Sequence, residues 1–168
     1  MRSTLLIAAS LLMLNASVVM AVDLDKLPKL GDMTKMSLLE NVNKSLADQQ
    51  IKDGQFEFKT GKAEFAAGNE KRVSGLMKIL TANSRTLKTT FPTLRITAEG
   101  HTDADGSAGA NQKLSLARAT TVCAALKAKG MKLPCTVSGM GWSKPLVSPE
   151  KTPADKQRNR RVLVQLAK

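Results

Sequence analysis

Aromatic side chains make up only 3% of this 168-residue chain, with four Phe, one Trp and no Tyr. Proteins that bind single-stranded nucleic acid stack bases on aromatic rings, so the composition argues against that class. Histidine is scarcer still, since His101 is the single one. A zinc centre needs several ligands, and a catalytic triad needs a histidine with a placed nucleophile. The sequence therefore indicates a protein that is not an enzyme and that uses no metal or cofactor.

Long apolar runs are absent except at the N-terminus. Arg2 precedes a mostly apolar run from Leu5 to Met20, and Val19-Met-Ala21 is typical of a signal-peptide cleavage site. An uncleaved membrane anchor is the alternative, but the run is short for a span of about 20 residues and contains Asn15. We therefore expect residues 1–21 to be a cleaved signal peptide and the mature protein to have no transmembrane span.

Cysteine is also scarce, and both copies, Cys123 and Cys135, lie in the part that is expected to be exported. Disulfides form and persist in oxidising compartments such as the periplasm, so a bridge is favoured over two buried thiols. The bridge would fasten a predicted helix to the strand that follows it. Such a cross-link stabilises by roughly 2–3 kcal/mol.

Positive charge is abundant and unevenly distributed, for a net charge of +12. Residues 106–168 hold twelve Lys and Arg against two acids, giving +10, whereas residues 22–105 hold thirteen against twelve, giving +1. A basic surface of this kind suits a polyanion. The candidates are peptidoglycan carboxylates, lipopolysaccharide phosphates and nucleic acid, and the export signal argues against the last.

One stretch has the pattern of a strand, a loop and a helix. Residues 94–98 alternate apolar and polar side chains, and a glycine-rich loop follows. One face of the next predicted helix carries residues spaced four apart: Leu114, Arg118, Val122 and Leu126. Because an unpaired buried charge is expensive, Arg118 needs an internal carboxylate or an anionic ligand. Asp103, in the loop, is a candidate neighbour.

Asp103 and Arg118 together suit a ligand that carries both an ammonium and a carboxylate group. A carboxylate accepts hydrogen bonds from an ammonium, and a guanidinium makes a two-pronged contact with a carboxylate. An internal ion pair between Asp103 and Arg118 explains the same spacing equally well.

Over roughly residues 51–168, the chain resembles a known family, the OmpA-like C-terminal domain. The motifs that carry the resemblance, in order and spacing, are Gly100-His-Thr-Asp103, Asn111, Leu114-Ser-x-x-Arg118-Ala119, Gly139-x-Gly141, Pro145 and Asn159-Arg-Arg-Val162. That family is the peptidoglycan-binding module of outer-membrane, lipoprotein and stator proteins. The resemblance implies an α+β fold of β-α-β-α-β(-β) order, a two-layer sandwich with helices packed on a mixed sheet.

The resemblance also implies a ligand and a set of site residues. Family members grip the diaminopimelate of the peptidoglycan stem peptide with an Asp and an Arg that match Asp103 and Arg118. Five further residues belong to the implied pocket or its rim: Thr102, Asn111, Leu114, Ala117 and Arg160. Because successive strand side chains point to opposite faces, Arg161 is predicted to point outward or to form a structural pair.

The implied role is non-covalent anchoring to peptidoglycan in the periplasm of a Gram-negative-type envelope. The alternative is an interaction module that binds a protein partner or another envelope polyanion without peptidoglycan specificity. One departure from the family concerns Asp155-Lys156, which stand where the family has Gly-Arg. This departure puts the local turn in doubt more than the function.

The chain divides into a signal peptide (1–21), an N-terminal arm with a short helix (22–50) and the OmpA-like domain (51–168). The arm offers a surface for an envelope protein, although its amphipathic helix at 36–50 is expected to pack on the domain itself. The periodicity predicts strands at 55–59, 94–98, 135–141 and 161–166, helices at 69–88 and 111–129, and a polar loop at 142–156.

Overall fold

The computed structural model describes residues 30–168, with side chains from residue 33 onward. The predicted signal peptide and residues 22–29 of the arm lie outside the described residues. The elements in chain order are α1 (Leu30–Asp53), α2 (Asn69–Thr90), β1 (Arg95–Gly100), α3 (Ala108–Ala128), β2 (Cys135–Gly139), α4 (Pro153–Asn159) and β3 (Val162–Ala167). Within this part of the chain, no helix has the length and apolarity needed to cross a bilayer.

The three strands form one mixed sheet in the order β2-β1-β3. The central strand β1 runs parallel to β2, with Ile96 opposite Cys135, and antiparallel to β3, with Gly100 opposite Val162. Alternate residues of β1 and β3 are buried, which gives the sheet one inner face. Helix α3 packs on β1 and β2, and α1 packs on β3. The predicted α+β class, with helices on a mixed sheet, is confirmed.

Helix α1 covers the outer edge of β3 with side-chain amides. Asn43 donates to the carbonyl of Leu166 at 3.0 Å and accepts from its N–H at 2.7 Å. Gln50, two turns later, does the same at Val164, at 3.0 and 2.9 Å. Val42, on the same helix, is buried. The helix is longer than predicted, and the expectation that it packs on its own domain is confirmed.

The predicted strand at 55–59 is wrong, because this segment does not join the sheet. It forms an isolated antiparallel bridge between Phe58 and Phe65. Asn69 accepts from the N–H of Glu57 at 3.0 Å and donates to its carbonyl at 2.7 Å. The backbone groups that a strand would offer to a neighbour are thus bonded locally, and the alternation of Phe residues reflects burial in a loop.

Helix α4 lies in the stretch that the sequence analysis assigned to a polar loop. Thr152 caps the helix, Pro153 opens it, and the Asp155 side chain accepts from the N–H of Thr152 to complete a capping box. The departure from the family at Asp155-Lys156 is therefore part of a well-formed helix start. The signal was present in the sequence, as Thr-Pro-x-Asp.

The Cys123–Cys135 disulfide is present and joins α3 to the start of β2. The two Cα atoms are 6.2 Å apart, within the range usual for a bridge. The prediction of a disulfide is confirmed, and the alternative of two buried thiols is wrong. The bridge fixes the C-terminal half of the helix whose N-terminal half faces the glycine-rich loop.

Candidate functional site

Two glycines let α3 lie directly against the sheet. A Cβ atom at Gly100 would come within 2.0 Å of the Ser115 carbonyl oxygen, and one at Gly139 within 2.6 Å of the Gln112 carbonyl oxygen. The Ser115 hydroxyl accepts from the N–H of Gly141 at 2.9 Å. Because helix and strand ends are bonded at this close distance, the side chains of α3 and of the loop after β1 have fixed relative positions.

Arg118 is the charged residue that this packing buries, with only 5% of its surface exposed. Its Nε donates to the carbonyl of Lys62 at 3.1 Å, and its Cζ lies 5.0 Å from the centroid of the Phe58 ring, a cation–π contact. Within residues 33–168, neither Nη atom has a hydrogen-bond or ion-pair partner. The terminal nitrogens of a largely desolvated guanidinium are thus available to an anion.

Arg118 lines a cavity of about 430 Å³. The other lining residues come from the loop before α2 and from the end of α4: Phe56, Glu57, Phe58, Ala66, Gln157 and Arg160. Burial lowers the pKa of Arg118, the neighbouring positive charge of Arg160 lowers it further, and Asp103 opposes both effects. Since an Arg stays protonated in proteins, the cavity presents two cations.

Asp103 forms its ion pair with Arg160, at 2.6 Å, and not with Arg118. The Asp103 side chain is 14% exposed and that of Arg160 35%, so the pair lies at the edge of the cavity. One turn earlier on α4, Lys156 pairs with Asp105 at 2.7 Å, and this hydrogen bond raises the pKa of Lys156. Two ion pairs therefore tie the loop after β1 to α4.

The remaining residues implied by the family resemblance are not among the lining residues of this cavity. Thr102 is buried, and its N–H donates to the Gly141 carbonyl at 2.9 Å. The Asn111 amide donates to the Asp105 carbonyl at 2.7 Å and so holds the loop. On α3, Leu114 is half-buried and Ala117 exposed. The cavity lining includes Arg118 and Arg160 from the implied set; the ligand contacts of the others stay predictions.

The predicted outward orientation of Arg161 is wrong. Arg161 is buried, and its Nη2 donates to the Lys144 carbonyl at 3.0 Å. His101 lies in the same cluster, 1% exposed, with Nε2 3.1 Å from a Glu99 oxygen but without the alignment of a hydrogen bond. Burial and then the charge of Arg161 lower the pKa of His101 to about 4, against the opposing effect of Glu99.

Asn159, the first residue of the Asn159-Arg-Arg-Val162 motif, holds the loop that precedes α4. Its side-chain oxygen accepts from the N–H groups of Leu146 and Val147 at 2.7 and 3.0 Å, and its amide donates back to the Val147 carbonyl at 2.9 Å. The residue is fully buried. It fixes the loop before α4 and thereby the position of Arg160, its chain neighbour.

Sequence reasoning missed the part of the site that comes from residues 56–66. Phe58 and the carbonyl of Lys62 hold Arg118, although the sequence analysis treated Phe58 only as a strand residue. No spacing rule connects position 58 to position 118, because the contact is tertiary. A second omission, Gln157, became visible only with helix α4.

Comparisons with known proteins identify the family of this chain. The model of the OmpA family matches residues 57–160. A stretch of 71 residues is 45% identical to the outer-membrane lipoprotein YfiB of Pseudomonas aeruginosa; the match spans 42% of this chain and 42% of that protein.

Two solved structures share the fold. The peptidoglycan-associated lipoprotein of Burkholderia pseudomallei is 20% identical with a TM-score of 0.56, over 67% of this chain and 89% of that one. The cell wall anchor of the T6SS from Pseudomonas aeruginosa is 22% identical with a TM-score of 0.55, over 76% and 97%. Because the family match covers more than half of the sequence, this chain belongs to the OmpA family.

Proposed function

We propose that the protein binds peptidoglycan non-covalently through the diaminopimelate of the stem peptide, and that it serves as a cell-wall anchor in a Gram-negative-type envelope. One observation carries the proposal: Arg118 is nearly buried, lines a cavity and has no partner for its two Nη atoms among residues 33–168. A buried unpaired guanidinium is costly, and a ligand carboxylate would remove that cost.

The arrangement of charges fits a group with an ammonium and a carboxylate on one carbon. The ligand carboxylate would bind the free Nη atoms of Arg118 as a fork, with Arg160 supplying a second donor at the rim. The ligand ammonium would donate to the Asp103 carboxylate. That carboxylate would keep its bond to Arg160, because its oxygens accept more than one hydrogen bond. The pairing of Asp103 with Arg160 keeps both groups oriented before the ligand arrives.

The nature of the relatives supports the same ligand and location. The names of the relatives include a peptidoglycan-associated lipoprotein, a cell wall anchor and an outer-membrane lipoprotein. The proposed activity is binding alone, since nothing at the cavity pairs a nucleophile with a base. The proposed compartment, the periplasm, is consistent with the disulfide.

The decisive experiment is co-sedimentation of the mature protein with purified diaminopimelate-type peptidoglycan, beside thermal melts. Arg118→Ala and Asp103→Ala should each weaken binding by roughly 10- to 150-fold, because one charge-assisted hydrogen bond contributes about 1.5–3 kcal/mol. Arg85→Ala is the matched control, since Arg85 is exposed on α2 away from the cavity. Its binding should equal that of the wild type.

The alternative function makes a different prediction for the same set of proteins. A module that recognises envelope polyanions by charge alone would bind peptidoglycan less when any Arg is removed, and Asp103→Ala would bind as well as or better than the wild type. Such a result, with all variants folded, would overturn the proposal. Amidation of the diaminopimelate carboxylate removes a negative charge and should weaken binding under either function, so the Asp103→Ala result is the one that separates them.

A further inference from the structure

We propose a second binding subsite, next to the first, that takes a sugar ring of the glycan strand. This inference rests on the proposed function, because it assigns a neighbouring part of the same polymer. The subsite is a cavity of about 420 Å³ that Ala104 and Asp105 of the loop after β1 help to line. Its principal lining residues are Asp105, Trp142, Pro145, Pro149, Glu150 and Lys156.

Trp142 is unusual among the aromatic residues of this chain. The four Phe are buried or half-buried, whereas Trp142, the single tryptophan, keeps 36% of its surface exposed at the cavity. The negatively charged face of an indole attracts the weakly positive C–H groups that a pyranose ring presents on one side. An exposed indole beside two prolines is thus a platform for a sugar, in a chain that otherwise exposes few rings.

The backbone holds this platform rigidly. Gly141, just before Trp142, donates to the Ser115 hydroxyl at 2.9 Å and accepts from the N–H of Thr102 at 2.9 Å. A turn closes directly after the tryptophan, where the N–H of Ser143 donates to the Met140 carbonyl at 3.0 Å. Because the backbone that carries the indole is fixed before binding, little backbone-ordering cost opposes the contact.

The polar residues of the cavity suit hydroxyl and acetamido groups. The Asp105 carboxylate is held by Lys156, and a Glu150 oxygen accepts from the N–H of Ala104 at 3.1 Å. Each carboxylate oxygen retains a second lone pair, so both side chains can still accept from sugar hydroxyls. The opposite charges of Asp105 and Lys156 cancel, and the remaining charge of the lining, that of Glu150, is negative, which disfavours an anionic ligand.

The two cavities are close enough for one ligand to fill both. Asp103 and Asp105 are two residues apart in the loop, and their partners Arg160 and Lys156 are one helical turn apart on α4, or about 6 Å along the axis. In the stem peptide, two residues separate diaminopimelate from the muramic acid, and that stretch of chain extends about 10 Å. A sugar at Trp142 is thus in reach of a stem peptide at Arg118.

The test compares a disaccharide–tripeptide muropeptide with the free tripeptide, both ending in diaminopimelate, by calorimetry on the full mature protein. The wild type should bind the muropeptide about 2- to 10-fold more tightly. Only the muropeptide should change the fluorescence of Trp142, the single indole in the chain. Trp142→Ala should bind both probes equally, with the affinity that the wild type has for the tripeptide.

Two further variants serve as controls. Trp142→Phe, which keeps a smaller ring, should show an intermediate preference, and Leu146→Ala, exposed in the same loop, should keep the full preference. Equal affinity of the wild type for both probes, or an undiminished preference in folded Trp142→Ala, would overturn the subsite alone. If the wild type binds neither probe, the proposed function fails, and the subsite fails with it.

Discussion

Among residues 33–168 two arginines are buried, and their surroundings differ. Arg161 donates to the carbonyls of Lys144 and Asn159 and lies next to Glu99. Arg118 lies over Phe58, donates through Nε alone and leaves its Nη atoms facing a cavity. Burial lowers the pKa of both, so burial does not separate a structural arginine from one that is proposed to bind a ligand. The bonding of the two Nη atoms and the space in front of those atoms do.

The largest effect should follow from removing Arg161, the arginine whose Nη atoms donate to backbone carbonyls. Arg161→Met should lower the free energy of unfolding by about 2–4 kcal/mol, because the carbonyl of Lys144 loses a charged donor and Glu99 loses a neighbouring cation. Urea denaturation would measure the change. Peptidoglycan binding by the fraction that stays folded should be normal. If Arg161→Met unfolded with the same free energy as the wild type, the assignment of a structural role to Arg161 would be wrong.

Arg118→Met, the same substitution at the other buried arginine, should weaken binding to peptidoglycan. Arg118→Met keeps the length of the side chain and its contact with Phe58 but removes the free Nη donors. We expect binding about 10- to 150-fold weaker and a free energy of unfolding within about 1 kcal/mol of the wild type, since an uncompensated charge leaves the interior. A large loss of stability with unchanged sedimentation would reverse the assigned roles.

The pH dependence of the free energy of unfolding tests the structural cluster that contains Arg161 and His101. The pKa of His101 is lowered to about 4 in the folded protein, below the value near 6.5 of an unfolded chain. The unfolded state therefore takes up the proton first, and stability falls as the pH falls through this window, by about 2 kcal/mol between pH 7 and pH 5. Chemical denaturation at the two pH values measures it. His101→Gln should lose most of this dependence.

The smallest effect should come from the ring beneath Arg118. Phe58→Leu keeps apolar volume but removes the cation–π contact, which contributes about 0.5–1 kcal/mol. Affinity for peptidoglycan should fall by about 2- to 5-fold, through a less fixed guanidinium. Phe91→Leu, a matched change under a different cation, Lys168, should leave binding unchanged. Equal losses for both variants would mean that the effect is one of general stability.

Local patterns in the sequence predicted the regular elements and part of the site. Strand β1, helices α2 and α3 and the closing strand follow from periodicities within ten or twenty residues. The segment 55–59 has the same alternation as a strand, yet its backbone bonds to Asn69, and no local pattern shows that. Arg118 was found because a charge interrupts an apolar face. The sequence did not predict the pairing of Asp103 with Arg160, because that pair depends on where α4 lies.

The side-chain amides by which α1 bonds to β3 have a practical consequence for where the domain can be cut. A strand whose outer N–H and C=O groups are bare is a template for pairing with other chains. In this protein Asn43 and Gln50 occupy those groups on β3. The family match begins at residue 57, after α1 has ended, so a fragment cut to the family boundary would uncover that edge and tend to aggregate. The helix thus occupies the sheet edge at which a further strand would otherwise pair.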